Sequence, residues 1–210
     1  KCSRIYKGHT WYVTSLTMKP EGKSIVSGSS DMTLKEWDIS TGECIRTFRG
    51  HNTKISSVSY SMDGKRIVSG SSDMTLKEWD TLTGECVKTY NGDSTKISSV
   101  SCSPDGKKII SACWDKIKEW DTERGECIRI FKGHYMRISS VTYSPDGKTI
   151  LSSGYDGTIR EWDVNTGECM RVFKNLAGLF VQGVNMSEVH SFSQINEEEK
   201  KILEDYGANF

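Results

Sequence analysis

A repeat of about 42 residues constrains this chain more than any other feature. Cysteine recurs at Cys2, Cys44, Cys86, Cys127 and Cys169, at spacings of 42, 42, 41 and 42 residues. Trp-Asp keeps step at Trp37-Asp38, Trp79-Asp80, Trp120-Asp121 and Trp162-Asp163. Gly-His recurs at Gly8-His9, Gly50-His51 and Gly133-His134, with Gly92-Asp93 in the remaining place. A turn recurs as Pro20-Glu21-Gly22, Met62-Asp63-Gly64, Pro104-Asp105-Gly106 and Pro145-Asp146-Gly147. A period of this length means stacked supersecondary units, none of which can bury its apolar face alone.

The second copy shows what each unit is. Lys54–Tyr60 alternates Ile55, Val58 and Tyr60 with polar residues, and Asp63-Gly64 then turns the chain, as Asp-Gly does in two-residue hairpins. Lys65–Ser69, Thr75–Trp79 and Glu85–Tyr90 supply three more short apolar stretches, separated by Ser72-Asp73 and Thr83-Gly84. Four strands in 42 residues with no helical period predict one blade of a β-propeller.

The pattern Gly-His, Ser-Pro-Asp-Gly, Asp-x-Thr-Leu-Lys-Glu-Trp-Asp, Thr-Gly-Glu-Cys resembles the WD40 repeat, and the resemblance covers residues 1–173. Its wording is most similar to bacterial WD40 arrays. The expected fold is all-β: a propeller of four WD40 blades, each of four antiparallel strands, as a partial or open ring. The blades are expected at about residues 7–48, 49–90, 91–131 and 132–173.

In that family, His, Ser, Asp and Trp of each blade form a hydrogen-bonded chain. The resemblance places this chain at His9, Ser27, Asp31 and Trp37, at His51, Ser69, Asp73 and Trp79, and at His134, Ser152, Asp156 and Trp162. The chemistry is polar satisfaction, because a buried indole N–H, imidazole and carboxylate each need a partner. The serine four residues before each Asp is present in every copy, whereas the position two before it varies as Ser29, Ser71, Cys113 and Gly154. The third copy is degenerate. It would use Asp93, Ser111, Asp115 and Trp120, and Asp93 brings a carboxylate where a donor is needed. The stretch Asp115–Trp120 is also one residue shorter than Asp73–Trp79, which predicts a remodelled turn and a less stable blade.

Residues 1–6 match the outermost strand of a blade, Glu43–Phe48, and are expected as a strand left from an upstream blade. The simplest expectation is the C-terminal part of a larger propeller. Missing upstream blades in cis, or a second copy in trans, would then cover the open faces. A tight four-blade closure is the other arrangement. Residues 174–210 carry three basic and six acidic side chains. They are expected as a cap or tail with one helix near residues 197–206, started by Asn196 and Glu199 and stopped by Gly207.

Composition limits the function. The chain has 28 basic and 28 acidic side chains, a net charge of zero, which argues against nucleic acid or an anionic membrane as partner. The seven cysteines include no C-x-x-C pair, so the grid cysteines are expected as buried small apolar side chains in a reducing, cytoplasmic setting. Gly22-Lys23-Ser24 and Gly147-Lys148-Thr149 imitate a phosphate loop, but Thr17 and Thr142 hold the place of its first glycine. No nucleophile elbow or zinc-protease motif occurs, and His190 stands alone. No cofactor, no metal and no enzyme activity are expected.

Differences between near-copies mark the variable surface. They concentrate after Gly-His and just before the turn aspartate, at one rim of the blades. Trp11, Tyr12, Trp114, Tyr135, Met136, Arg137 and Tyr155 are residue types favoured at protein interfaces. They are expected to bind a protein or peptide ligand, with Trp11 alternatively filling the place of an absent neighbour. Lys54, Lys96 and Arg137 tilt this rim basic, which suits an acidic peptide. Similar bacterial arrays form the sensor end of STAND (NACHT-type) NTPases or receptor kinases, the second reading.

Overall fold

The computed structural model describes residues 4–91 and 95–174. The expected tail and helix near residues 197–206, together with Asp93, lie outside the described residues. The described residues form sixteen six-residue strands in four sheets. The first sheet holds β1 (Val13–Met18), β2 (Ser24–Ser29), β3 (Thr33–Asp38) and β4 (Cys44–Arg49). The second holds β5 (Ile55–Tyr60), β6 (Arg66–Ser71), β7 (Thr75–Asp80) and β8 (Cys86–Asn91). The third holds β9 (Ile97–Cys102), β10 (Lys108–Cys113), β11 (Lys116–Asp121) and β12 (Cys127–Lys132). The fourth holds β13 (Ile138–Tyr143), β14 (Thr149–Gly154), β15 (Thr158–Asp163) and β16 (Cys169–Lys174). Every sheet is an antiparallel meander in chain order. The described residues are all-β, as the repeat predicts.

The hydrophobic core lies between blades. β1, β5, β9 and β13 neighbour one another in succession. At the first seam Val26, Leu34 and Phe48 meet Ile55, Val58, Tyr60, Ile67 and Trp79. At the second, Val68, Leu76 and Tyr90 meet Ile97, Val100, Ile109 and Trp120. At the third, Ile110, Ile117 and Phe131 meet Ile138, Val141, Tyr143, Ile150 and Trp162. In blades two, three and four the tryptophan is met edge-on by an aromatic from the outer strand of the blade before it. The ring centroids are 5.9, 5.8 and 5.9 Å apart in Phe48–Trp79, Tyr90–Trp120 and Phe131–Trp162.

Blade one keeps the same face without a sheet against it. Val13, Leu16 and Met18, the counterparts of Ile55, Val58 and Tyr60, are 54%, 69% and 58% exposed. Among the described residues β13 does not pack on β1 as β5 does. Arg4–Tyr6 joins no strand among the described residues. These residues nevertheless lie on blade one as β4 lies on blade two. Tyr6 meets Trp37 at 6.0 Å and 66°. Arg4 bonds the Ile39 carbonyl and lies against Gly42, as Arg46 bonds the Thr83 carbonyl and lies against Gly84.

Two readings of the sequence meet detail here. The grid cysteines are not buried: Cys44, Cys86 and Cys127 are exposed, and Cys169 is half-buried. They open the outermost strand of each sheet, which has solvent on its far side. The shortened turn of the third blade is remodelled. Cys113 pairs directly with Lys116, leaving a two-residue hairpin turn in which Trp114 takes the left-handed φ of 56°. The longer turns instead put Met32, Met74 and Gly157 at φ values of 69°, 70° and 70°.

If the seams are the core, truncating a seam side chain should weaken the whole fold. Leu76→Ala should cost about 2–5 kcal/mol in urea unfolding, because Leu76 is fully buried between blades two and three. Leu82→Ala, at an 83% exposed turn position, should change stability by no more than about 0.5 kcal/mol.

Candidate functional site

Three blades carry the same buried polar chain. In blade two, Trp79 Nε1–H donates to Ser69 Oγ at 2.8 Å, and Ser69 Oγ lies 2.7 Å from His51 Nε2. His51 Nδ1 lies 2.8 Å from Asp73 Oδ2. The donors fix the roles. Nδ1–H donates to the carboxylate, and Nε2 accepts the one proton Ser69 has to give. Blade one repeats this through Trp37, Ser27, His9 and Asp31 at 2.8, 2.7 and 2.8 Å. Blade four repeats it through Trp162, Ser152, His134 and Asp156 at 2.8, 2.8 and 2.7 Å. Ser29 and Ser71, two residues before the aspartate, do something else: each hydroxyl accepts the aspartate's own N–H at 3.0 Å. In blade three Trp120 Nε1–H donates to Ser111 Oγ at 2.9 Å, and Ser111 Oγ lies 3.7 Å from Cys113 Sγ.

The carboxylate ends of these chains reach the rim. Asp73 accepts from the Asn52 N–H at 3.0 Å, the Thr75 N–H at 3.0 Å and the Thr75 hydroxyl at 2.6 Å. Asp31 holds the Thr10 N–H at 3.0 Å, and Asp156 holds the Tyr135 N–H at 3.4 Å. Each buried chain therefore ties down the loop that follows its histidine. Burial alone would raise the Asp73 carboxyl, but the Thr75, Asn52 and His51 donors outweigh it and hold it at about 2. Asp31 and Asp156 are lowered by the same balance. Burial pulls His51 and His134 below the ordinary imidazole value more strongly than Asp73 and Asp156 lift them.

The structure divides the rim candidates into two groups. Trp114, Tyr135, Met136 and Tyr155 are 56%, 70%, 46% and 58% exposed around the seam of blades three and four, with Arg137 exposed beside them. The Trp114 carbonyl accepts the Ile138 N–H at 2.7 Å, which joins the two blades' loops directly. Tyr155 N–H donates to the Arg137 carbonyl at 2.8 Å, and the Tyr135 hydroxyl donates to the Asp156 carbonyl at 3.2 Å. Trp11 and Tyr12 belong elsewhere. They stack edge-on at 5.6 Å, and Trp11 lines a groove of about 390 Å³ with Tyr6, Val13, Leu16 and Trp37 on the uncovered face of blade one.

Sequence reasoning missed one set of residues. The glutamate of each Glu-Trp-Asp is buried: Glu36, Glu78, Glu119 and Glu161. The Tyr60 hydroxyl of blade two donates to Glu36 of blade one at 3.1 Å, and Tyr143 of blade four donates to Glu119 of blade three at 3.0 Å. Period-two alternation carried the signal, since Glu36 shares a face with the core residue Leu34. Among the described residues, no group of three or more His, Cys, Asp or Glu could hold a metal ion.

Removing the shared hydroxyl should be costly. Ser69→Ala strands the Trp79 indole N–H and the His51 Nε2 in a buried site, so urea unfolding should show a loss of about 2–3 kcal/mol. The pH dependence has a definite sign. The two histidines sit below 6.5 and Asp73 sits below 3.8 when folded, so the unfolded chain takes up protons first as pH falls. Stability should be full above pH 6.5 and decline below it as unfolded histidines protonate. A further decline belongs between pH 3.8 and about 2 as unfolded, then folded, Asp73 protonates. Urea midpoints at pH 8, 5.5 and 3 check that order.

Comparison with known proteins adds the family. The model described as WD domain, G-beta repeat, matches residues 1–38, 42–80, 84–121 and 125–163. Among similar proteins, a ribosome biogenesis protein BOP1 homolog of Drosophila grimshawi is 52% identical over 40 residues, 19% of this chain. The corresponding protein of Drosophila melanogaster is 50% identical over 40 residues. The match spans only 5% of the length of either relative, about one repeat. Each match takes the inner three strands of one sheet, and the last three matches also take the outer strand of the sheet before; with four matched repeats, the chain belongs to the WD40 family of G-beta repeats.

Proposed function

We propose that this chain is a non-catalytic interaction scaffold that captures a protein or peptide at the rim of blades three and four. Family membership supports a protein-interaction role in general, and one observation carries the choice of surface. Trp114, Tyr135, Met136 and Tyr155 stand exposed together on loops whose backbones are hydrogen-bonded to one another and to Asp156. Large side chains on a preorganised backbone lose little freedom on binding, which is the usual character of an interface hot spot. Exposed Arg137 at the same place, with exposed Lys54 and Lys96 at the equivalent places of blades two and three, favours an acidic peptide. Trp11 and Tyr12 are left out of this surface because Trp11 borders the uncovered face of blade one and Tyr12 stacks edge-on against it.

A cytoplasmic setting suits this role. The sensor-propeller reading draws no support from the matched relatives, whose 40-residue overlap reports the repeat alone. The ribosome-biogenesis role in those relatives' names is no more transferable.

The test is selection of a random peptide library on the purified chain. Recovered peptides should be rich in Asp and Glu and should bind more weakly at high salt. Trp114→Asn, which keeps a residue tolerant of the left-handed turn, and Tyr135→Ala should each weaken binding by about tenfold or more. Equal binding by both variants, with folded spectra, would remove this rim from consideration.

A further inference from the structure

The second seam lacks a ring that the other two possess. Tyr60 and Tyr143 end the inner strands of blades two and four, and both are buried. Each inserts its ring into the seam and donates its hydroxyl to the buried glutamate of the preceding blade, at 3.1 Å to Glu36 and 3.0 Å to Glu119. The equivalent residue of blade three is Cys102. Where the ring would sit there is a pocket of about 180 Å³, lined by Cys102, Val68, Ile109, Arg66 and Glu78. It lies at the Asp63-Gly64 and Asp105-Gly106 hairpins, the opposite end of the blades from the rim. Cavities of about 150 Å³ accept one aromatic ring.

The neighbouring residues have adjusted to the missing ring without refilling it. The outer-strand aromatic is phenylalanine at the other seams, Phe48 and Phe131, but Tyr90 at this one. Tyr90 donates its hydroxyl to Glu78 Oε2 at 2.8 Å, supplying the hydrogen bond that Tyr60 and Tyr143 supply elsewhere. Each seam thus keeps one phenol on its glutamate, and this seam alone keeps the glutamate but not the ring volume. Glu78 Oε1 is left facing Arg66 Nε at 3.5 Å, longer than a good hydrogen bond. Cys102 is a poor nucleophile for any covalent use of the site, since burial pushes its thiol up to about 12.

We infer that this pocket binds a single phenolic ring, its hydroxyl donating to Glu78 and its face packed between Val68, Ile109 and Cys102. Both the shape and the polar contact are those the protein itself fills with Tyr60 and Tyr143. A neutral donor fits the site better than an anion, because three carboxylates, Glu78, Asp63 and Asp105, line it against the single guanidinium of Arg66, itself paired with Glu78 and Asp80. The phenol comes either as a free small molecule or as the tyrosine side chain of a partner.

The experiment is an amide NMR titration of the full chain with p-cresol, with N-acetyl-tyrosine amide and with toluene. p-Cresol should shift the Val68, Cys102 and Ile109 amides and saturate at roughly 1 mM, the range expected for so few atoms. Toluene, which lacks the donor, should bind at least about fivefold more weakly. The double variant Tyr90→Phe with Cys102→Tyr recreates the pairing of the other seams, should fold, and should lose these shifts. Binding of both phenols would include a partner's tyrosine as the source, and binding of p-cresol alone would leave the free molecule. Absence of shifts with p-cresol, equal binding of toluene, or unchanged binding by the filled variant would each overturn the inference.

Discussion

The carboxylates of Asp31, Asp73 and Asp156 hold the most consequential position in this molecule. Each accepts hydrogen bonds from a histidine ring, from a turn threonine and from the loop after the histidine. The histidine passes the constraint to a serine, and the serine passes it to a tryptophan whose ring forms part of a seam. A single line of polar contacts therefore runs from the hydrophobic core to the exposed rim. The buried donors and acceptors satisfy one another, which lets a set of polar side chains sit inside an all-β core without a large penalty.

The seams then determine how blades recognise one another. Aromatic edge contacts to tryptophan, an arginine or lysine laid across a turn glycine, and a tyrosine on a buried glutamate recur from seam to seam. Arg4 and Tyr6 repeat the first two on blade one, where Val13, Leu16 and Met18 remain exposed. A face of that composition, with Arg4 and Tyr6 seated on it as Arg46 and Phe48 are on blade two, is complementary to the Val, Leu and Phe side of another blade. Glu161 shows the other side of the same rule. No tyrosine of a following blade donates to it among the described residues, and burial raises its carboxyl against the pull of Arg171.

Much of this was legible in the sequence because the repeat supplies its own control. A position constant across copies marks the frame, as Ser27, Ser69, Ser111 and Ser152 do. A position that varies marks a surface, as Trp114 and Tyr155 do. Constancy does not imply burial, since Cys44, Cys86 and Cys127 are constant at an exposed edge. Nor does charge imply exposure. Glu119 is fully buried, and its partners Tyr143 and Lys108 come from another blade and another strand, a relation that only packing reveals. The grouping of rim residues was equally illegible, since Trp11 packs beside Val13 and Leu16 of blade one while the Trp114 loop is bonded to Ile138 of blade four.

The central claim is that the buried polar chain holds the rim in place, and hydrogen exchange tests it most directly. Exchange of the Asn52 amide should be compared between the wild-type chain and Asp73→Ala. The account predicts that Asn52 and its neighbours after His51 lose protection by tenfold or more, while Val100 and Val141 at the other seams keep theirs. Unchanged protection at Asn52 in a folded variant would show that the rim is ordered by something other than the Trp79–Ser69–His51–Asp73 chain.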